Sequence, residues 1–126
     1  MNKFLKVSMV FLLFVFVGSM AAPAQTYSVA DKYFYTKVKA SHILVDTKEE
    51  ALSIKQKLDK GEDFSTLAQK YSKCPSGQDG GDLGYFARGT MVKDFETAAF
   101  NLKPGEISQP VRTQFGWHLI KVFDKQ

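Results

Sequence analysis

The chain has 126 residues, 44% of them hydrophobic, with 17 basic and 13 acidic side chains and a formal net charge of +4. That supplies one small domain with one modest core. It carries no clustered Lys/Arg stripe of the kind that follows a phosphate backbone, so nucleic acid is not an expected partner.

The first two dozen residues read as a leader rather than as part of the fold. Lys3 and Lys6 precede an uncharged run from Val7 to Val17, and Ala22-Pro23-Ala24 has the small-x-small pattern that precedes cleavage. The apolar run is shorter than the roughly 20 residues a spanning helix needs, which favours a removed signal over a permanent anchor. The sequence therefore predicts a signal peptide over 1–24, an arm over 25–36 and a domain over 37–126, exported to a periplasm or the cell exterior. No cysteine lies near the cleavage region, so no lipid anchor is expected. Losing the leader also removes two of the four net positive charges.

In chain order, Lys37 to Val45 reads as a strand with His42 embedded in it. Thr47 followed by Glu50 is a capping-box pattern that starts a helix, in which Ala51, Ile54 and Leu58 recur at helical spacing until Gly61. Glu49, Glu50, Lys55, Lys57 and Lys60 would form its solvated face. Asp63 is a good N-cap for a second helix, whose stripe of Phe64, Leu67, Ala68 and Tyr71 reads as core. Helix propensity fails at Pro75, and a glycine-rich loop, with room for a short helical turn, runs to Asp82.

A strand over Leu83 to Arg88 follows, then a third helical segment over Met91 to Asn101. Two strands, Ile107 to Thr113 and Trp117 to Phe123, close the chain, with Pro110 arguing for an edge or a bulge in the first. The order is β-α-α-β-α-β-β, an α+β domain with a small, mostly antiparallel sheet.

The chain has one cysteine and two histidines. Cys74 cannot form an internal disulfide, and it reads equally as a small half-buried apolar group or as a residue kept for a site. His42 and His118 fall on the first and last strands and become neighbours if those strands pair. Cys74 and Thr113 come from segments that can converge on them, and Leu83, Met91, Phe95 and Phe115 are the apolar residues nearest those points.

These residues carry a resemblance. KASHILV at 39–45, FSTLAQKYS leading into CPSGQDGGDLGYFARGTMV, and the closing TQFGWHLIKV resemble the parvulin family of peptidyl-prolyl cis/trans isomerases over roughly residues 37–125. The resemblance implies an FKBP-like four-stranded antiparallel sheet surrounded by three or four helices. It implies paired site histidines at His42 and His118, a site cysteine at Cys74 and a hydroxyl at Thr113. It also implies a proline pocket of Leu83, Met91 and Phe95 with Phe115 near its rim.

Phosphate-directed members have a basic cluster after the first strand, where this chain has Asp46-Thr47-Lys48-Glu49-Glu50, so unphosphorylated X-Pro segments of exported proteins are the expected partners. No large helical chaperone region flanks the domain, so a holdase module of its own is not expected, and a monomer is the default. A thiol hydrolase lacks a signature here, and a Cys-His-His zinc site matches no standard spacing, so neither metal nor cofactor is expected. The alternative of a different class is a chaperone-like binder of extended, proline-containing chains without turnover.

Overall fold

The computed structural model describes residues 34–126; the leader and the first part of the arm lie outside the described residues. The elements are β1 (Lys37–Val45), α1 (Lys48–Asp59), α2 (Phe64–Tyr71), a 3-10 helix (Pro75–Asp79), β2 (Asp82–Ala87), α3 (Lys93–Asn101), β3 (Val111–Thr113) and β4 (Gly116–Lys125). The four strands form one antiparallel sheet in the order β2-β1-β4-β3, so the first and last long strands are the central pair.

Local signals set most boundaries. Thr47 caps α1, its Oγ1 accepting the Glu50 N–H at 3.1 Å, and Asp63 caps α2, accepting the Thr66 N–H at 3.0 Å. The α1 helix ends at Asp59, two residues before Gly61, whose φ of +98° lies in the left-handed region that glycine tolerates. The α2 helix stops at Tyr71, before Pro75, because Ser72 is already extended and its hydroxyl accepts the Leu44 N–H at 3.1 Å.

Both sheet faces are covered. Ile43, Val45 and Leu119 pack against α1 and α2 through Ala51, Ile54, Leu58, Phe64, Leu67 and Ala68. On the opposite face Val38, Ala40, Ile120 and Val122 pack against α3 through Phe95, Ala99 and Phe100, with Phe86 of β2 joining them. Alternation along β1 and β4 decides the assignment, since successive side chains point to opposite faces.

Strands β2 and β4 shift by one or two residues at their ends, and two other boundaries change in ways that bear on the site. The strand predicted over Ile107 to Thr113 is only Val111–Thr113, with Ile107 making a single bridge to Lys121. Pro110 has no N–H to give a ladder, and Ser108 substitutes for one: its N–H donates to Ile120 O at 2.8 Å and its Oγ accepts the Ile120 N–H at 3.0 Å. The third helix starts at Lys93 rather than Met91, because Val92 is its extended N-cap residue. That frees Met91 and Val92 to line a cavity.

Candidate active site

The site grows from the way the segment after α2 takes over one edge of β1. Strand β2 pairs with β1 only as far as Ser41. Beyond that point the His42 N–H donates to Gly81 O at 2.9 Å, Ser72 Oγ accepts the Leu44 N–H, and the Lys73 N–H donates to Leu44 O at 2.8 Å. These three bonds hold Cys74 and the 3-10 helix against β1. Gly81 makes the approach possible. Its φ is +82°, and a Cβ there would stand 2.2 Å from His42 O.

The register pairs His42 with Ile120 and Leu44 with His118, so the two histidines are diagonal neighbours on the α3 side of the sheet. Their rings stack at 5.3 Å between centroids with 16° between planes, and their Nδ1 atoms are 3.1 Å apart. His42 Nε2 lies 3.1 Å from Ser76 Oγ, and His118 Nε2 lies 2.7 Å from Thr113 Oγ1. Thr113 Oγ1 also accepts the Phe115 N–H at 3.2 Å, which fixes the turn between β3 and β4.

The result is one hydrogen-bonded chain, Ser76–His42–His118–Thr113. One Nδ1 must carry a proton and the other accept it, so the chain runs in either of two directions, each satisfying all four members.

Both histidines are buried and held neutral. Desolvation lowers His42 from its ordinary 6.5 to about 4, with the neighbouring His118 adding to the effect, and desolvation alone lowers His118 to about 4. Phe95 stands edge-on to both rings, at 5.5 Å from His42 and 5.2 Å from His118.

Above this floor opens a cavity of about 530 Å³. Its walls include His42, His118, Cys74, Leu83, Met91, Phe95 and Phe115, all seven expected from the sequence, together with Leu44, Lys73, Pro75, Thr90 and Val92. Thr113 is not a wall residue; it touches the site through His118. Phe115 is 60% exposed and forms the rim. Phe95, at 3%, is as much core as pocket, packing on Phe86 at 6.0 Å. Cys74 is half-buried and caps the 3-10 helix with extended backbone.

Ser76 is the member that sequence reasoning passed over as a site residue; its signal was its place two residues after Cys74 in the loop motif. Among the described residues no three His, Cys, Asp or Glu side chains are grouped so as to hold a metal ion.

The rotamase profile, the PPIC-type PPIase domain, matches residues 34–124. The chain belongs to the PpiC-type peptidyl-prolyl isomerase family. It is 58% identical over 91 residues to the foldase protein PrsA of Geobacillus kaustophilus, covering 71% of this chain and 32% of that one. The chain thus spans about a third of the length of the curated relatives it matches.

Solved structures of such isomerases superpose on it. The peptidyl-prolyl isomerase PrsA of Bacillus anthracis does so with a TM-score of 0.72 and 46% identity over 81% of this chain and 48% of that one. The parvulin of Nitrosopumilus maritimus does so with a TM-score of 0.66 and 50% identity over 71% of this chain and 97% of that one. The PpiC-type domain is therefore the four-stranded antiparallel parvulin fold anticipated from the motifs, with three α-helices and the short 3-10 helix.

Proposed function

We infer that this PpiC-type domain catalyses X-Pro cis/trans isomerisation in unphosphorylated segments of exported proteins, by non-covalent binding of the twisted imide. The observation that carries this reading is the apolar cavity laid over two neutral, mutually hydrogen-bonded imidazoles.

Rotation about X-Pro faces a barrier of about 20 kcal/mol set by amide resonance. In the twisted form that resonance is lost, so the carbonyl is less polar and tolerates an apolar surround better than the planar amide does. A site that binds the twisted form more tightly than either planar one lowers the barrier. Leu83, Met91 and Phe95 would grip the ring, and Phe115 would shield it from water at the rim.

The Ser76–His42–His118–Thr113 chain would act as a rigid floor. Its four ring nitrogens are all engaged within the chain, so the imidazoles offer the planar carbonyl little competing solvation. Cys74 would adjust polarity beside the carbonyl. The exposed Asp46 just past β1 pairs with Lys73, so that point carries a neutral ion pair where a phosphate-directed loop would present free cations. Export is supported by the leader pattern of residues 1–24.

The test is exchange NMR, or a protease-coupled assay, on unphosphorylated X-Pro peptides with residues 25–126. Acceleration that drops in Met91→Ala with the fold intact supports the reading. Binding without acceleration would turn the domain into a holder of proline-containing chains.

A further inference from the structure

A second basin, of about 340 Å³, adjoins the isomerase cavity, and Lys73 lines both. The two hollows lie either side of the Ser72–Lys73 bridge onto β1: Leu44 faces the first and Val45 the second. We propose that this basin is a subsite for an acidic side chain of the same client chain whose proline occupies the isomerase cavity. The proposal rests on the isomerase reading of that cavity and names a substrate class for it.

Charge is the first argument. Lys57, Lys70 and Lys73 line the basin, with Glu50 the one carboxylate in its wall; Asp46 pairs with Lys73, and Glu62 lies near Lys57. Lys57 and Lys70 flank the Tyr71 ring, their ammonium groups 5.0 and 5.2 Å from its centroid. Lys57 donates one hydrogen bond to Tyr71 Oη, at 2.8 Å, which leaves it two further N–H donors.

Because Tyr71 Oη accepts that bond, its own proton is available to an incoming carboxylate. The Lys57 hydrogen bond, with the Lys70 ammonium beside the ring, also lowers the phenol from its ordinary 10.0, making it a better donor. A carboxylate at this point would therefore meet two ammonium groups and a hydroxyl.

Shape is the second argument. Val45 and Ile54, both almost fully buried, form an apolar floor that suits the methylenes of Glu better than the shorter Asp. An extended chain advances about 3.3 Å per residue, so a segment passing over the Lys73 stem reaches the basin roughly two to four residues from the proline.

The experiment is a scan of unphosphorylated X-Pro peptides in which Glu or Gln stands at each position on either side of the proline. Turnover and, by fluorescence anisotropy, affinity are measured at low and high salt on the wild type and on a Lys57→Gln/Lys70→Gln variant.

At one position Glu should lower KM and Kd by roughly tenfold relative to Gln at low ionic strength. That gain should shrink with salt and vanish in the double variant, which still turns over the Gln peptides as the wild type does. Equal behaviour of Glu and Gln peptides at every position, or a preference that survives the double substitution, overturns the subsite. Loss of turnover for all peptides, with the Glu preference in Kd intact, would count against the isomerase reading and for the subsite.

Discussion

Acidification should destabilise this domain between pH 6.5 and 4, and the paired imidazoles set that window. In the unfolded chain His42 and His118 take up protons as pH falls through 6.5; in the folded protein they resist until about 4. Between those values the unfolded state binds more protons, so stability is lost as pH falls. Two independent groups would each cost about 1.4 kcal/mol per pH unit, about 7 kcal/mol in all by pH 4.

The pair does not behave independently. A single extra proton leaves every link of the Ser76–His42–His118–Thr113 chain intact, with one Nδ1 still accepting. A second proton sets two N–H groups against each other across 3.1 Å. The cavity also admits solvent beside both rings, so a loss of about 3 kcal/mol is the working expectation, a large fraction of a small domain's stability.

Urea midpoints at half-unit steps from pH 7.5 to 4 measure it, with imidazole NMR titrations alongside. His118→Gln should flatten the slope. The depressed carboxyls of Asp63 and Asp124 act below their ordinary 3.8 and so do not confuse the window. A midpoint that does not move between pH 6.5 and 4, or a folded-state histidine titrating near 6.5, would refute the reasoning.

The other expectations are briefer. Met91→Ala should lower kcat/KM about tenfold while leaving the fold intact, since it strips an apolar wall from a half-buried position; unchanged turnover would remove Met91 from the pocket. Phe95→Ala should cost about 3–5 kcal/mol because that ring is also core, so Phe95→Leu is the variant in which kinetics can be read against an intact circular dichroism spectrum. Thr113→Val should leave His118 Nε2 and the Phe115 N–H without their shared oxygen, costing about 1–3 kcal/mol and much of the activity, and Thr113→Ser should restore both. Gly81→Ala should cost at least about 3 kcal/mol, measured by thermal unfolding, because it combines a left-handed backbone with a clash against His42 O; a wild-type Tm would contradict the edge contact described for β1.

Much of the site was legible because its signals are local or strictly periodic. His42 and His118 lie on strands whose alternation leaves one choice of face once β1 and β4 pair. Thr47 and Asp63 announce their helices by capping chemistry, and the turn glycines mark where the loop must come close to β1. What stayed hidden depends on contacts between segments. Ser76 looks like one more polar loop residue until the 3-10 turn carries its hydroxyl to His42.

Ser108 completes a ladder that Pro110 interrupts, so the edge strand looked longer than it is. Lys57 read as part of a solvated helix face, yet it reaches across to Tyr71 of the next helix. The lysine basin draws on β1, α1, α2 and the bridge at Lys73, and no spacing within one of them reveals it.

The same electrostatics argue against nucleophilic chemistry at Cys74. A thiol attacking a carbonyl needs a neighbouring base with appreciable proton affinity near neutral pH, and general bases work best when their pKa lies close to the operating value. His42 and His118, lowered to about 4 by burial, are poor proton acceptors at pH 7, and their ring nitrogens are already committed to each other, to Ser76 and to Thr113. A base so weak and so engaged does little for a thiol, but a neutral, internally satisfied floor suits a reaction that moves no proton and breaks no bond. Cys74→Ala should therefore fold and retain more turnover than loss of a nucleophile allows. Cys74→Asp, which keeps a polar group beside the carbonyl, should retain more still, and a trapped acyl-enzyme on the wild-type thiol would reverse the argument.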